Sequence, residues 1–404
     1  MKFQVPRGTR DFLPEEMAKR RIVFDRIRSI FDRYGYGEVC TPAFEDFELL
    51  SKKSGPDIEN ELYVFKDKSG RKLGLRFDPT VPICRIVSND PSMINPIKFS
   101  YITNMWRYDR PGAGRWREFW QAGVELIGSS KPEADVEIIQ VVYDILTSLG
   151  IKDFYFKINS RVVIEDFIKE SGISEKKKFD VFRAIDKLGK IGEKGVRKEM
   201  ERYEIDKKKI DKFISLVREK GNTKELLDII GLCKLTGIEN IEIDFSIVRG
   251  IDYYTGFVFE TFVKGKESVG SVASGGRYDS LIGLYSGKET PATGFGLGID
   301  RLLDAVKIKV DDNKKSVFIA YIKEKQAAME LAGELRKLGI NVETDVMDRN
   351  LKKQLNYANN KKISYVIVLG EKEISSKKGK LKDMATGKEY SIDLENLEKI
   401  KELI

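Results

Sequence analysis

Between Ser100 and Gly128 the chain reads SYITNMWRYDRPGAGRWREFWQAGVELIG, and no other stretch constrains the fold as strongly. Two runs rich in aromatic and β-branched residues flank a short loop, Asp109 to Arg115, that carries a proline and two glycines. That pattern predicts an antiparallel hairpin. Side chains alternate between faces along a strand, so Phe119, Gln121, Gly123 and Glu125 share one face of the second run. Trp120, Ala122, Val124 and Leu126 share the other. An amide and a carboxylate with a glycine between them predict an open polar floor for a small polar ligand. Arg107, Arg110, Arg115 and Arg117 crowd the hairpin's mouth, and guanidinium forks suit phosphate oxygens. The stretch reads either as one site joining a small molecule to a phosphate or as a solvated hairpin with a basic tip. The inward Gln121 and Glu125 keep the first reading open.

The 404 residues leave room for roughly two to three domains, each with a proper core. A net charge of +8 is compatible with a nucleic-acid partner without requiring one. Three scattered cysteines, Cys40, Cys84 and Cys233, form no CxxC pair, which argues against a disulfide framework or a cysteine zinc site and for a reduced, cytoplasmic setting. The opening MKFQVPRGTRDFLPEE has no apolar signal core, and no uncharged run is long enough to span a bilayer. The chain has no histidine. That excludes His-dependent triads, histidine metal sites and histidine general bases, and leaves Arg, Lys, Asp, Glu, Tyr, Ser and Thr, a bound ion or the substrate for any chemistry.

In chain order, Pro14, Glu15 and Glu16 open a helix whose apolar residues recur as far as Tyr34, with Gly35 as terminator. A strand from Tyr36 to Thr41 then runs into Pro42. Two strands about Asp67 to Gly70 end in Arg76-Phe77-Asp78-Pro79-Thr80. Thr80 is placed to cap the next helix, and Asp78 either pairs with an ammonium group or satisfies turn amides. Pro132 to Leu149 reads as an amphipathic helix and Ile151 to Asn159 as a strand. From about Ser160 to Thr236 lysine and glutamate rise and helical periodicity dominates. Lys176 to Lys178 and Lys207 to Lys209 there read as solvated helix faces rather than a nucleic-acid track. Sheet texture returns with IEIDFSIV, which places Arg249 at a strand end, followed by Gly250 and a polar aromatic turn before FVFETFV. Gly294, Gly296 and Gly298 bare one face of a later strand. Arg301 falls in the first turn of the following helix, where a cation opposes the dipole and a bound anion or π-face would compensate. After a charged linker the strand–helix alternation from Val317 onward predicts a separate α/β unit.

Several of these strings resemble the class II aminoacyl-tRNA synthetases, and within them the histidyl-tRNA synthetases. PRGTRDFLPEE with the helix–strand ending at Pro42 resembles the first class motif, the central hairpin the second, and ATGFGLGIDRLL the third. VRGIDYYTG (Val248 to Gly256) and GGRYD (Gly275 to Asp279) resemble the histidine-specific signatures. The resemblance implies an α+β fold: an antiparallel-sheet catalytic domain over residues 1–159 and 237–310, a helical insertion over 160–236, and an α/β anticodon-binding domain over 315–404. It implies that the enzyme activates L-histidine with ATP and Mg2+, releases pyrophosphate and passes histidine to the 3′ end of tRNA(His). A homodimer formed through the first motif, with no membrane association, is implied as well. Residue by residue, Arg107 would hold the α-phosphate, Arg115 the outer phosphates, and Phe119 and Arg301 the adenine. Asp78 and Thr80, with Pro79 between them, and Gln121 would receive the substrate ammonium. Glu125 and Tyr254 would grip the imidazole, with Tyr253 and Tyr278 lining the pocket, and Arg249 would stabilise charge as carboxylate attacks phosphorus. Two positions depart from the pattern: Asp109 stands where the class usually has glutamate, and Trp120 replaces a histidine common in the family. The rival readings are a regulatory paralogue without catalysis and a class II synthetase for another amino acid.

Overall fold

A proline and two acids in the first turn, followed by an apolar stripe, set the helix Pro14–Arg33, which buries Val23, Phe24, Ile27, Ile30 and Phe31. Gly35, at φ +75°, lets the chain turn out of it. The computed structural model describes residues 3–52, 61–108, 115–219, 223–248, 253–308 and 315–404. They fall into two units divided between Lys309 and Val310.

In the first unit the strands are β1 (Gly37–Glu38), β2 (Phe44–Asp46), β3 (Val64–Lys66), β4 (Lys72–Leu75), β5 (Ile97–Trp106), β6 (Glu118–Ile127), β7 (Phe154–Ser160), β8 (Ile241–Ile243), β9 (Phe257–Val263), β10 (Ala273–Arg277) and β11 (Ala292–Gly298). Eight of them form one sheet in the order β1-β5-β6-β11-β10-β9-β7-β8, antiparallel within and parallel at both edges. The central pair β5 and β6 is the hairpin expected from the sequence, with Thr103 opposite Gln121 and Phe99 opposite Glu125. One face of the sheet packs on the helices Pro14–Arg33 and Pro132–Ser148, whose Ile138, Ile139, Val142 and Ile145 are fully buried. Trp120 points into this layer and packs on Phe24 at 5.1 Å. The opposite face carries Tyr101, Tyr253, Tyr254 and Tyr278 around the helix Thr80–Asn89. A small sheet β2-β4-β3 flanks that helix.

Two strands are shorter than their sequence patterns suggest. Tyr36 to Thr41 yields only the two residues of β1, because the Thr41 and Pro42 carbonyls turn instead to the Arg76 guanidinium. Ile241 to Val248 yields only β8. Asp244 accepts hydrogen bonds from the Ser246 amide and hydroxyl and closes a turn there. Nor is β8 the hairpin partner of β9, since β7 lies between them and pairs parallel with β8. Arg249, expected at a strand end, lies outside the described residues.

Helices Arg161–Glu170, Lys178–Ile185, Leu188–Arg202, Lys207–Glu219 and Lys224–Leu235 fill the lysine-rich stretch. They share a core with the sheet, Phe167 packing on Phe245 at 5.4 Å. Lys178 is paired with Glu165 at 2.8 Å and Glu175 at 3.3 Å, in keeping with an ordinary solvated face. The second unit alternates β12 (Ser316–Tyr321), helix Lys325–Lys337, β13 (Asn341–Thr344), helix Leu351–Asn360 and β14 (Tyr365–Leu369). The antiparallel pair β15 (Lys378–Asp383) and β16 (Glu389–Asp393) completes its sheet, ordered β13-β12-β14-β15-β16. No described helix is long and apolar enough to cross a membrane.

Candidate active site

Glu125 lies on β6 with 1% of its surface exposed. Its Oε1 accepts a hydrogen bond from the Thr80 hydroxyl at 2.6 Å, and its Oε2 accepts one from the Tyr278 hydroxyl. Thr80 is thus not the side-chain cap of its helix. The helix begins at Thr80, Pro79 is the residue before it, and the Thr80 amide is held by Asp78 Oδ1 at 2.6 Å. Asp78 Oδ2 accepts from the Tyr253 hydroxyl at 3.2 Å. Asp78 therefore satisfies a turn amide and still keeps carboxylate lone pairs for another donor. Tyr253 packs at a tilt against Tyr254, ring centres 4.8 Å apart, and meets Tyr278 edge-on at 5.8 Å. The Tyr254 carbonyl is held by Arg161 at 3.0 Å.

The floor between Gln121 and Glu125 is not open. Tyr101, directly opposite Gly123 on β5, lays its phenol over that glycine. Its hydroxyl accepts from Gln121 Nε2 at 3.0 Å and donates to the Phe295 carbonyl at 3.3 Å. Sequence reasoning missed Tyr101, although the hairpin register pairs it with Gly123. The bare face of β11 has a definite occupant. A Cβ at Gly294 would overlap Glu125 Oε2, and one at Gly296 would overlap Gln121 Nε2. Those glycines are the space in which the two polar side chains lie.

Arg107 follows the end of β5. Its Nε donates to the Phe77 carbonyl at 3.1 Å and its guanidinium carbon stands 5.4 Å from the Phe119 ring centre, so these two predicted residues are neighbours. Arg301 donates from Nη1 to the Ser271 carbonyl at 3.1 Å, and the acid of that first helical turn is its neighbour Asp300. A bound anion is therefore not needed to excuse the cation. Arg115 is exposed, beside the loop 109–114 that lies outside the described residues, as do Arg110 and Asp109.

Burial pushes the Glu125 carboxyl up to about 8; hydrogen bonds from Thr80 and Tyr278 pull it down, and nearby Asp78 pushes it further up. Burial likewise raises the phenols of Tyr101, Tyr253 and Tyr278 well above their ordinary value, so they remain donors at neutral pH. The geometry offers a closed end with one titrating carboxyl, Asp78 beside it, an amide at Gln121, and Arg107 with Phe119 nearby.

Known proteins resolve what such a site belongs to. Residues 8–302 match the family described as histidyl-tRNA synthetase, and residues 316–403 match the anticodon binding domain. A histidine–tRNA ligase of Pyrococcus horikoshii is 38% identical, with 98% of each chain covered. The chain belongs to the histidyl-tRNA synthetase family. The crystal structure of histidyl-tRNA synthetase from Nostoc superposes with a TM-score of 0.82 at 26% identity, covering 100% of both chains. A Bacillus halodurans structure described as an ATP phosphoribosyltransferase regulatory subunit/histidyl-tRNA synthetase reaches a TM-score of 0.78 at 25% identity, with 92% of this chain and 99% of that one covered. The mixed α+β architecture expected from the sequence is therefore that of the histidyl-tRNA synthetase family.

Two outcomes follow from the packing of Glu125. Gly294→Ala forces a methyl into the carboxylate and is expected to cost about 1–3 kcal/mol. Gly231→Ala, in open space on the helix Lys224–Leu235, is expected to stabilise by up to about 1 kcal/mol. Urea midpoints of the two variants moving in the same direction would contradict this account of β11. For the second, the folded pKa of about 8 stands above the ordinary 4.5. Between those values the unfolded chain has released a proton that the folded chain keeps, so stability falls as pH rises through the window and levels off above it. Glu125→Gln removes this dependence. The melting temperature of Glu125→Gln relative to the natural chain is expected to climb from pH 5 to pH 8, and a flat difference would show that Glu125 ionises normally.

Proposed function

We propose that the chain is an ATP-dependent histidine–tRNA ligase whose amino-acid pocket ends at Glu125. The reading rests on one observation above the others: a buried carboxyl at the centre of the sheet, ringed by hydroxyl donors, in a chain that matches the family along its length. An imidazole presents one N–H donor and one acceptor nitrogen when neutral. A carboxyl that titrates near neutrality meets either nitrogen, donating when protonated and accepting when ionised. Tyr254, Tyr253 and Tyr278 close the pocket around the ring. The remaining lone pairs of Asp78, the Thr80 hydroxyl and the Gln121 amide oxygen receive the substrate ammonium, with Pro79 setting the bend between Asp78 and Thr80.

Phe119 and Arg301 hold the adenine, Arg107 the α-phosphate and Arg115 the outer phosphates. The nucleotide enters as ATP with Mg2+ on its phosphates, the usual way this ion is brought to a phosphoryl-transfer site. A histidine carboxylate oxygen attacks the α-phosphorus, the bond to the bridging oxygen breaks, and pyrophosphate leaves. The 3′-terminal hydroxyl of tRNA(His) then attacks the activated carbonyl and AMP departs. Two anions approach one another in the first step, so fixed cations carry the catalysis, Arg107 and Arg249 foremost. Residues 1–159 with 237–310 form the catalytic domain, 160–236 an insertion, and 315–404 the anticodon-binding domain, acting in the cytoplasm.

The regulatory reading, with which the description of the Bacillus halodurans structure also accords, predicts binding without turnover. Pyrophosphate exchange into ATP separates the two. Histidine alone among the amino acids is expected to drive exchange. Arg249→Ala is expected to slow exchange by about 10²–10³ with the melting temperature almost unchanged, and Arg249→Lys to recover little of it, because an ammonium lacks the guanidinium fork. Binding of histidine with no exchange would establish the regulatory reading instead.

The chain pairs with a second copy through the segment ending at Pro42. Sedimentation at micromolar concentration is expected to give twice the chain mass, and a monomer would remove this assignment.

A further inference from the structure

The pairing of β6 with β11 stops at Gln121 opposite Gly298, because the chain turns into the helix Ile299–Ala305 at the next residue. The Trp120 amide would there lose its ladder partner. Asp300, second in that helix and 3% exposed, supplies one. Its Oδ2 accepts from the Trp120 N–H at 3.0 Å. Its Oδ1 accepts from Arg20 Nη2 at 2.5 Å and from Arg10 Nη2 at 2.8 Å. Arg20 is fully buried and Phe12 lies under both guanidinium groups, at 3.8 Å and 4.8 Å. Arg20 Nε and Nη1 and Arg10 Nε are buried and find no hydrogen-bond partner among the described residues. Two cations therefore share one carboxylate and hold it from the N-terminal side. Two residues whose separation matters stand on either side of this tie. Phe119 precedes Trp120 on β6, and Arg301 follows Asp300 on the helix.

We propose that Asp300 is a positioning residue for ATP: by taking the Trp120 amide it fixes the gap between Phe119 and Arg301 without touching the nucleotide. The proposal rests on the adenine site assigned above. Gln121 is held separately, by its β11 pairing and by Tyr101, so the histidine pocket depends less on the tie. A misplacement of about 1 Å at such a gap is enough to cost binding or rate by up to about 10²-fold.

Changing Asp300 alone would strand the buried Arg20, whereas Arg10 is part-exposed and keeps Glu16 at 3.6 Å, so the test uses two double variants of equal charge. Asp300→Asn/Arg20→Met keeps an acceptor for the Trp120 amide; Asp300→Ala/Arg20→Met does not. Calorimetric titration of the full chain with Mg·ATP is expected to give the alanine form a dissociation constant about ten-fold weaker than the asparagine form, with histidine binding within about two-fold between them. Equal ATP constants in the two forms overturn the proposal, as does a parallel loss of histidine affinity that tracks a lower melting temperature. Histidine-dependent exchange by the natural chain is read separately. ATP binding with no exchange defeats the ligase reading and leaves the comparison of the two forms intact. No ATP binding by the natural chain defeats both.

Discussion

A carboxyl group at the middle of an eight-stranded sheet, almost wholly removed from water, is the constraint on which the rest of the first unit turns. Glu125 is expensive to bury as an anion, and the fold meets that cost in three ways. Thr80 and Tyr278 donate to its two oxygens, so neither is left bare. Loss of water holds a proton on it through most of the neutral range. Gly294 leaves β11 without a side chain where the carboxyl must lie. Gly275 repeats the device one strand further on, where a Cβ would meet the backbone of Gly294 and Phe295. The polar centre thus accounts for Gly294 and Gly296, which β propensity alone would disfavour, while Gly275 answers a close approach of backbone.

The same centre is braced from outside by ion pairs with few degrees of freedom. Arg277, next to Tyr278, gives two hydrogen bonds to Asp135 on the helix Pro132–Ser148, at 3.0 and 2.7 Å. It also holds the Ser129 and Lys131 carbonyls at 2.8 and 3.2 Å. The helix start, the end of β10 and the Tyr278 phenol therefore move together. Asp300 does the corresponding work at the far end of β11. Each brace joins one strand end to one helix end, where the backbone ladder has run out and side chains must continue it. Removing one partner of such a pair leaves a buried charge uncompensated, which costs far more than the pair itself contributes.

What the sequence disclosed follows from the range of the interactions. The β5–β6 hairpin, the faces of β6 and the α/β alternation from Val317 are set by neighbours within a few residues, and alternation or apolar runs report them directly. Gln121 and Glu125 were readable as a pair because both sit on one strand. Tyr101 over Gly123 required the register of two strands, which the loop between them does not reveal. The placement of β7 between β8 and β9 depends on pairing across about eighty residues, beyond any local signal. Thr80 shows a different failure. Its type and position suit a helix cap, yet Pro82 offers no N–H, the Ile83 amide goes to the Pro79 carbonyl, and the Thr80 hydroxyl donates instead to the buried Glu125 carboxyl. The strand of Ile241 to Val248 stopped early because Asp244, a short acceptor inside an apolar alternation, closes its own turn. In that segment the turn residue carried more information than the period around it.

A chain without histidine has an unusual titration, and that bears on how it would recognise an imidazole. Ordinary carboxyls titrate below pH 5 and ordinary lysines above pH 9, leaving the interval between nearly empty. Among the described residues, burial lifts two carboxyls into it, Asp135 and Glu125. Asp135 has Arg277 against it, so its charge is opposed by a fixed cation. Glu125 has only neutral donors. In the pocket proposed above, an imidazole, with its own pKa near 6.5, would meet this carboxyl. A hydrogen bond between two groups of similar proton affinity tolerates the proton on either side, so such a pocket need not select one protonation state of the ring. A pocket built around a histidine of its own would face repulsion whenever both rings were charged. On the assignment proposed above, a desolvated carboxyl avoids that repulsion: it is neutral when protonated and opposite in charge to a charged ring when ionised.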